Sequence, residues 1–213
     1  MKKVGGFPST LIFKRRNYML KEIFHYIYCM SIPSTVFVLI FVCCFWNYLL
    51  SKCNSKRQKN LWKISNILLF IFWLACVLYK TLLIRGNKAE INLTPFHFIT
   101  AAIKTGNEEF FRTGWMNILL FVPGGMWLSY STAKKTSTKR VLQVVFLIII
   151  SICIEAIQWH YQLGTVETDD VICNTLGAII GVTSDLWAFK VIELVKPIVI
   201  KAYNLIKQKI KKT

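Results

Sequence analysis

The sequence predicts an all-α, polytopic transmembrane helical bundle of about five spans, with an interfacial or re-entrant helix in the second loop. Three observations predict it. Of the 213 residues, 54% are hydrophobic and mean hydropathy is +0.47, too apolar for an ordinary soluble domain. The apolar residues gather into runs near the ~20 residues that cross a bilayer as a helix. The 27 Lys and Arg outnumber the 10 Asp and Glu, for a net charge of +17, and lie between and beside these runs rather than on one face. That placement suits anionic lipid headgroups and the orienting of a membrane protein. It argues against nucleic acid as a partner.

Residues 1–31 form a basic N-terminal segment. Met1–Asn17 lacks the apolar core of a cleavable signal peptide, and Tyr18–Met30 reads as an interfacial helix. The membrane domain is expected over 32–195. Its spans are Ile32–Leu50, Leu61–Tyr79 (extending to Ile84), Trp115–Tyr130, Val141–Gln158 and Val171–Phe189. The third is short and holds Pro123-Gly124-Gly125, so a kink or half-unwound helix is expected there. The second loop, Arg85–Gly114, is long for a structureless connection, and a helix is expected near Pro95–Thr105. Residues 196–213 form a basic amphipathic tail suited to an anionic leaflet. Seven cysteines lie mostly in or beside apolar runs without a C-x-x-C pair, and so read as small buried hydrophobes.

Basic loops stay cytoplasmic. Lys52, Lys56, Arg57, Lys59 and Lys63 mark the first loop, and Lys134, Lys135, Lys139 and Arg140 the third. The tail is basic as well, whereas Tyr161–Asp170 is acidic. The first and third loops and the C-terminus are therefore placed inside, and the second and fourth loops outside. Five spans put the N-terminus outside, against the preference of Lys2, Lys3, Lys14, Arg15 and Arg16.

Whatever the orientation, five spans bring the second and fourth loops to one face. Arg112, Asn117, Glu155, Gln158, Asp169, Asp170 and Asn174 all fall there. Glu155 and Gln158 are i, i+3 neighbours, and Asp170 and Asn174 are i, i+4. Gly177 and Gly181 continue near the second pair's face, a small-xxx-small pattern that lets another backbone approach. Polar groups at the ends of apolar helices are costly in a membrane, so a pocket of these residues is expected.

Each residue has two readings. Glu155 is a general acid or base, or a structural ion-pair partner of Arg112. Arg112 clamps an anion or anchors at the interface. Asp169 and Asp170 bind a cation or headgroup, or cap a helix. Gln158 and Asn174 are ligand contacts or interhelical hydrogen-bond partners. Pro123 and Gly124 expose backbone to a ligand or permit close packing. His160 shuttles protons beside Glu155 or is simply an interfacial residue, and His97 is read the same way.

Four blocks occur together: N-L-T-P-F (Asn92–Phe96), N-I-L-L-F-V-P-G-G (Asn117–Gly125), I-E-A-I-Q (Ile154–Gln158) and D-D-V-I-C-N-T-L-G (Asp169–Gly177). Their types and order resemble the VanZ-like membrane protein family over about residues 30–190. The resemblance implies that Arg112, Asn117, Pro123, Gly124, Glu155, Gln158, Asp170, Asn174 and Gly177 occupy the family's characteristic positions. One departure is Glu167-Thr168-Asp169-Asp170, where the family often has Asp-Ile-Asp-Asp. The family's prototype is associated with resistance to glycopeptide antibiotics, teicoplanin above all, which implies a bacterial plasma membrane protein.

These observations leave three function classes. The first is a resistance or envelope-protection protein engaging a lipid-linked or lipophilic ligand. The second is an intramembrane enzyme on a lipid or cell-wall intermediate, with Glu155 and Asp170 catalytic. The third is a small transporter, which the lack of an internal repeat disfavours. The sequence names no metal or cofactor.

Overall fold

The computed structural model describes residues 32–83, 90–132 and 136–210; the basic segment before residue 32, including Tyr18–Met30, lies outside them. The chain divides into two units, Met1–Leu39 and Ile40–Thr213. The second unit holds both hydrophobic cores and all of the expected site residues.

Among the described residues there are seven α-helices: α1 (Ile32–Ser51), α2 (Lys56–Leu78), α3 (His97–Thr105), α4 (Glu108–Tyr130), α5 (Ser137–Tyr161), α6 (Thr168–Val182) and α7 (Ser184–Ile210). Two short strands, β1 (Glu90–Asn92) and β2 (Thr165–Glu167), complete the order. A π-helical turn, Tyr79–Leu83, extends α2.

Local chemistry sets the helix ends. At α2 the Gln58 amide donates to Ser55 Oγ at 3.1 Å, while Gln58 Oε1 accepts from the Ser55 N–H at 3.1 Å, a reciprocal cap. Asn107 caps α4 by accepting from the Glu109 N–H at 2.9 Å. Glu108 and Glu109 then suit the positive end of the helix. Gln162, in the left-handed region at φ 54°, stops α5, and the Leu163 N–H returns to the Gln158 carbonyl at 2.9 Å.

Among the described residues two helical stretches, Lys56–Leu83 and Ser137–Tyr161, are long and apolar enough to cross a membrane, and Ser34–Leu50 is apolar but shorter. The expected set of five spans is therefore not reproduced as five such helices. The clearest departure is the expected span Val171–Phe189. It is two helices, because α6 ends at Val182 and α7 begins at Ser184. At about 1.5 Å per residue, the 15 residues of α6 reach about 22 Å, short of a ~30 Å hydrocarbon core. Hydropathy merges the two segments, whereas Thr183-Ser184-Asp185 divides them. Asp185 is held by Arg140 of α5 at 2.8 Å.

The expected half-unwound turn at Pro123 is also absent: α4 continues as helix through it to Tyr130. Proline offers no N–H to the preceding turn. That leaves the Leu119 carbonyl without its helical donor; at the next residue, the Trp73 indole donates to the Leu120 carbonyl at 2.7 Å. Gly124 makes room for that ring, since a Cβ there would stand 2.5 Å from it. Trp73→Phe keeps most of the ring and removes this donor. It should cost about 1 kcal/mol, read as a lowered thermal midpoint of the purified protein. α7 runs on through Pro197 to Ile210.

One core joins α2, α4, α5 and α6 through Trp73, Val77, Phe121, Leu147, Ile154, Ala178 and Val182. A second joins α1, α4 and α7 through Cys43, Met126, Tyr130 and Ala188. The tightest crossing is α4 on α6. A Cβ on Gly177 would strike the Ile118 carbonyl, and one on Gly181 the Val122 carbonyl. One on Gly125 would lie 2.7 Å from the Ala178 carbonyl. The small residues of both helices thus let their backbones touch. The outer faces are apolar instead. Leu61, Ile64, Leu68, Ile71 and Phe72 of α2 are exposed, as are Val141, Val145, Ile149 and Ile152 of α5.

Candidate ligand site

The second and fourth loops meet at one end of this unit. β1 and β2 pair in parallel, with Ile91 opposite Val166. Asp169, in the first turn of α6, completes the junction. Its two carboxylate oxygens accept from the backbone N–H groups of Phe96 at 2.5 Å and Phe98 at 2.8 Å. Phe96 precedes α3 with a left-handed φ of 59° and has no side-chain cap of its own. Asp169 is therefore a helix cap, as one reading of the sequence held, but the helix it caps is α3. The orphan amides at a helix start and its dipole both favour a carboxylate there.

Inside this junction α4, α5 and α6 present a buried polar layer. Asn117 donates from Nδ2 to Asp170 Oδ1 at 2.5 Å, and both side chains are buried. One turn deeper on α6, Asn174 bonds Ser151 Oγ of α5 at 2.9 Å. Glu155, 7% exposed, accepts from the Glu167 N–H at 3.1 Å, fastening β2 to α5. Gln158 is fully buried and donates from Nε2 to the Thr81 carbonyl at 2.9 Å, in the π-helical turn after α2. Arg112 stands half-buried on α4, five residues before Asn117. Gly124, Gly177 and Gly181 lie where another element presses close, since a Cβ on each would clash, and Pro123 stands half-buried within α4.

Two acceptors are left over. The Thr81 carbonyl fixes which way the Gln158 amide points, so Oε1 is buried without a hydrogen-bond partner. Asn174 Oδ1 is likewise buried and unpartnered. An unmet buried polar atom costs about 1–3 kcal/mol. Among the described residues no three His, Cys, Asp or Glu side chains converge as a metal set. His160 is exposed against Tyr161, at 4.8 Å between ring centroids.

Sequence reasoning passed over four contributors. Ser151 lies four residues before Glu155 and seven before Gln158, so helical spacing could have included it. The Thr81 carbonyl and the Phe96 and Phe98 amides are backbone groups, for which side-chain identity gives no signal.

The profile of the VanZ/LLP1 family matches residues 18–190. The chain belongs to the VanZ/LLP1 family. The match encloses every residue of the polar layer. Among curated VanZ-type proteins, "Protein VanZ" of Enterococcus faecium is 32% identical over 95 residues, covering 45% of this chain and 52% of that protein. The chain thus spans about half the length of that curated relative. No solved structure matches the chain.

Proposed function

We propose that this VanZ-type chain is a multi-pass protein of the bacterial plasma membrane. In this reading its buried polar layer engages a lipid-linked or lipophilic ligand, contributing to glycopeptide resistance of the teicoplanin kind or to envelope protection. The outward apolar faces of α2 and α5 support the membrane setting, because a water-facing surface would cover them with polar residues. Family membership and the likeness to Protein VanZ support the resistance role.

The observation that carries the ligand reading is the pair of orphaned acceptors, Gln158 Oε1 and Asn174 Oδ1. Their neighbours are Glu155, Asp170 and the Ser151 hydroxyl. Such a layer seeks hydrogen-bond donors, so the ligand is one that presents hydroxyl, amide or ammonium groups beside an apolar part. Asp170 and Asn117 orient one another, and Glu155 holds the β2 edge.

The test uses a susceptible host expressing the chain. Glu155→Gln and Asp170→Asn should accumulate in membranes near the unsubstituted level while losing the teicoplanin protection that the chain confers. Lipid mass spectrometry of the purified protein should then show a specifically retained molecule that both variants lose. Unchanged abundance together with unchanged protection would remove the polar layer from the function. Loss of abundance in Glu155→Gln, relieved when Arg112 is also replaced, would assign the two residues to a structural pair.

A further inference from the structure

A second site lies at the other end of α4, away from the polar layer. A cavity of about 470 Å³ opens between the α1–α2 connection, the first turns of α2 and the end of α4. Lys59, Lys63, Asn54, Asn60 and Trp62 line it, with Ser131 opposite. Lys59 and Lys63 are i, i+4 neighbours and share a helix face. The lining contains no Asp or Glu. Neither lysine has an acidic partner among the described residues. The Trp62 indole, packed on Trp46 at 4.9 Å between centroids, buries its Nε1–H without an acceptor. The N-terminus of α2, capped at Ser55, adds its partial positive charge nearby.

Both charged side chains of the lining are positive and no carboxylate faces them, unlike the acid-bearing layer at the far end. We propose that this cavity binds a phosphate group. Lys59 and Lys63 neutralise it, Asn54 and Asn60 offer amide donors, and the Trp62 ring walls the cavity beside them. Leu50 and Cys53 supply an apolar wall for the carbon skeleton that carries the phosphate. The site stands on this geometry alone and does not depend on the ligand reading of the polar layer.

The experiment uses the full-length protein in a neutral detergent, with binding measured calorimetrically. The probes are short-chain phosphatidylglycerol, short-chain phosphatidylcholine and glycerol 3-phosphate. The expected result is binding of phosphatidylglycerol or glycerol 3-phosphate that weakens about 30-fold in the double variant Lys59→Ala/Lys63→Ala. Lys59→Arg/Lys63→Arg, which keeps both charges, should stay within a few-fold of the original, as should Lys56→Ala/Arg57→Ala, whose residues do not line the cavity. Binding of the lipid alone assigns a headgroup, and binding of glycerol 3-phosphate assigns a soluble phosphate ester. The proposal is overturned if neither phosphatidylglycerol nor glycerol 3-phosphate binds, or if the Lys56/Arg57 pair matters as much as the Lys59/Lys63 pair; phosphatidylcholine, whose ammonium offsets its phosphate, should bind more weakly.

Discussion

Gly181→Leu is expected to abolish the folded protein. The Cα of Gly181 lies against α4 so closely that a Cβ alone would meet the Val122 carbonyl, the Met126 nitrogen and the Gly125 Cα. All three are backbone atoms of one helix, so no side-chain rotation can relieve the contact. Inserting a side chain into such a contact costs about 3 kcal/mol or more, a large part of the stability of an ordinary domain. The crossing also supports the buried residues around it, Phe121, Ala178 and Val182. Fluorescence-detected size-exclusion chromatography should show the monodisperse peak replaced by aggregate. Gly106→Ala is the control, because nothing stands within 4 Å of a Cβ there. That residue has φ +66°, so its cost is local backbone strain of about 1 kcal/mol, and the peak should persist. If Gly181→Leu runs like the unsubstituted protein, α4 and α6 do not cross as described.

Asp169→Ala is the second large effect, and it is confined to one element. The substitution removes both acceptors from the Phe96 and Phe98 amides. Hydrogen bonds to a charged group contribute about 1.5–3 kcal/mol each, and here two amides lose theirs at once. α3 is nine residues long, too short to persist without an external cap and packing. Hydrogen exchange at His97–Thr105 should accelerate by about two orders of magnitude or more, while the middle of α5 keeps its protection. Asp169→Asn should fall between the two, since it keeps one acceptor oxygen and loses the charge. Uniform acceleration across all helices would instead mean that Asp169 supports the whole unit.

What the sequence made legible depends on the kind of signal. The residues of the polar layer were readable because Glu155, Gln158, Asp170 and Asn174 interrupt apolar helices at helical spacing. The close packing of Gly177 and Gly181 was readable for the same reason. The α3 helix was readable from the length of the loop around it. Span boundaries were less readable, because hydropathy averages over a window. Thr183-Ser184-Asp185 is too short a polar interval to lower that average, yet it ends one helix and starts another. The indole that meets the Leu120 carbonyl, just before Pro123, comes from 47 residues earlier in the chain, a contact no local rule contains. The β1–β2 pairing joins two three-residue strands across the chain, too short for any period-2 pattern. The role of Asp169 was half legible: an acid at a helix start reads as a cap, but its true partner lies in another segment.

The Asp169 junction also imposes an order on biosynthesis. The Phe96 amide must wait for a carboxylate 73 residues further along the chain. At ~5–20 residues per second, a ribosome needs about 4–15 s to deliver it. During that interval α2 through α5 can already be in place, yet α3 has no cap and Asn117 has no Asp170 to meet. The polar layer is therefore among the last parts of the unit to be completed, and a nascent chain stalled before Asp169 would carry the walls of the site without its closure.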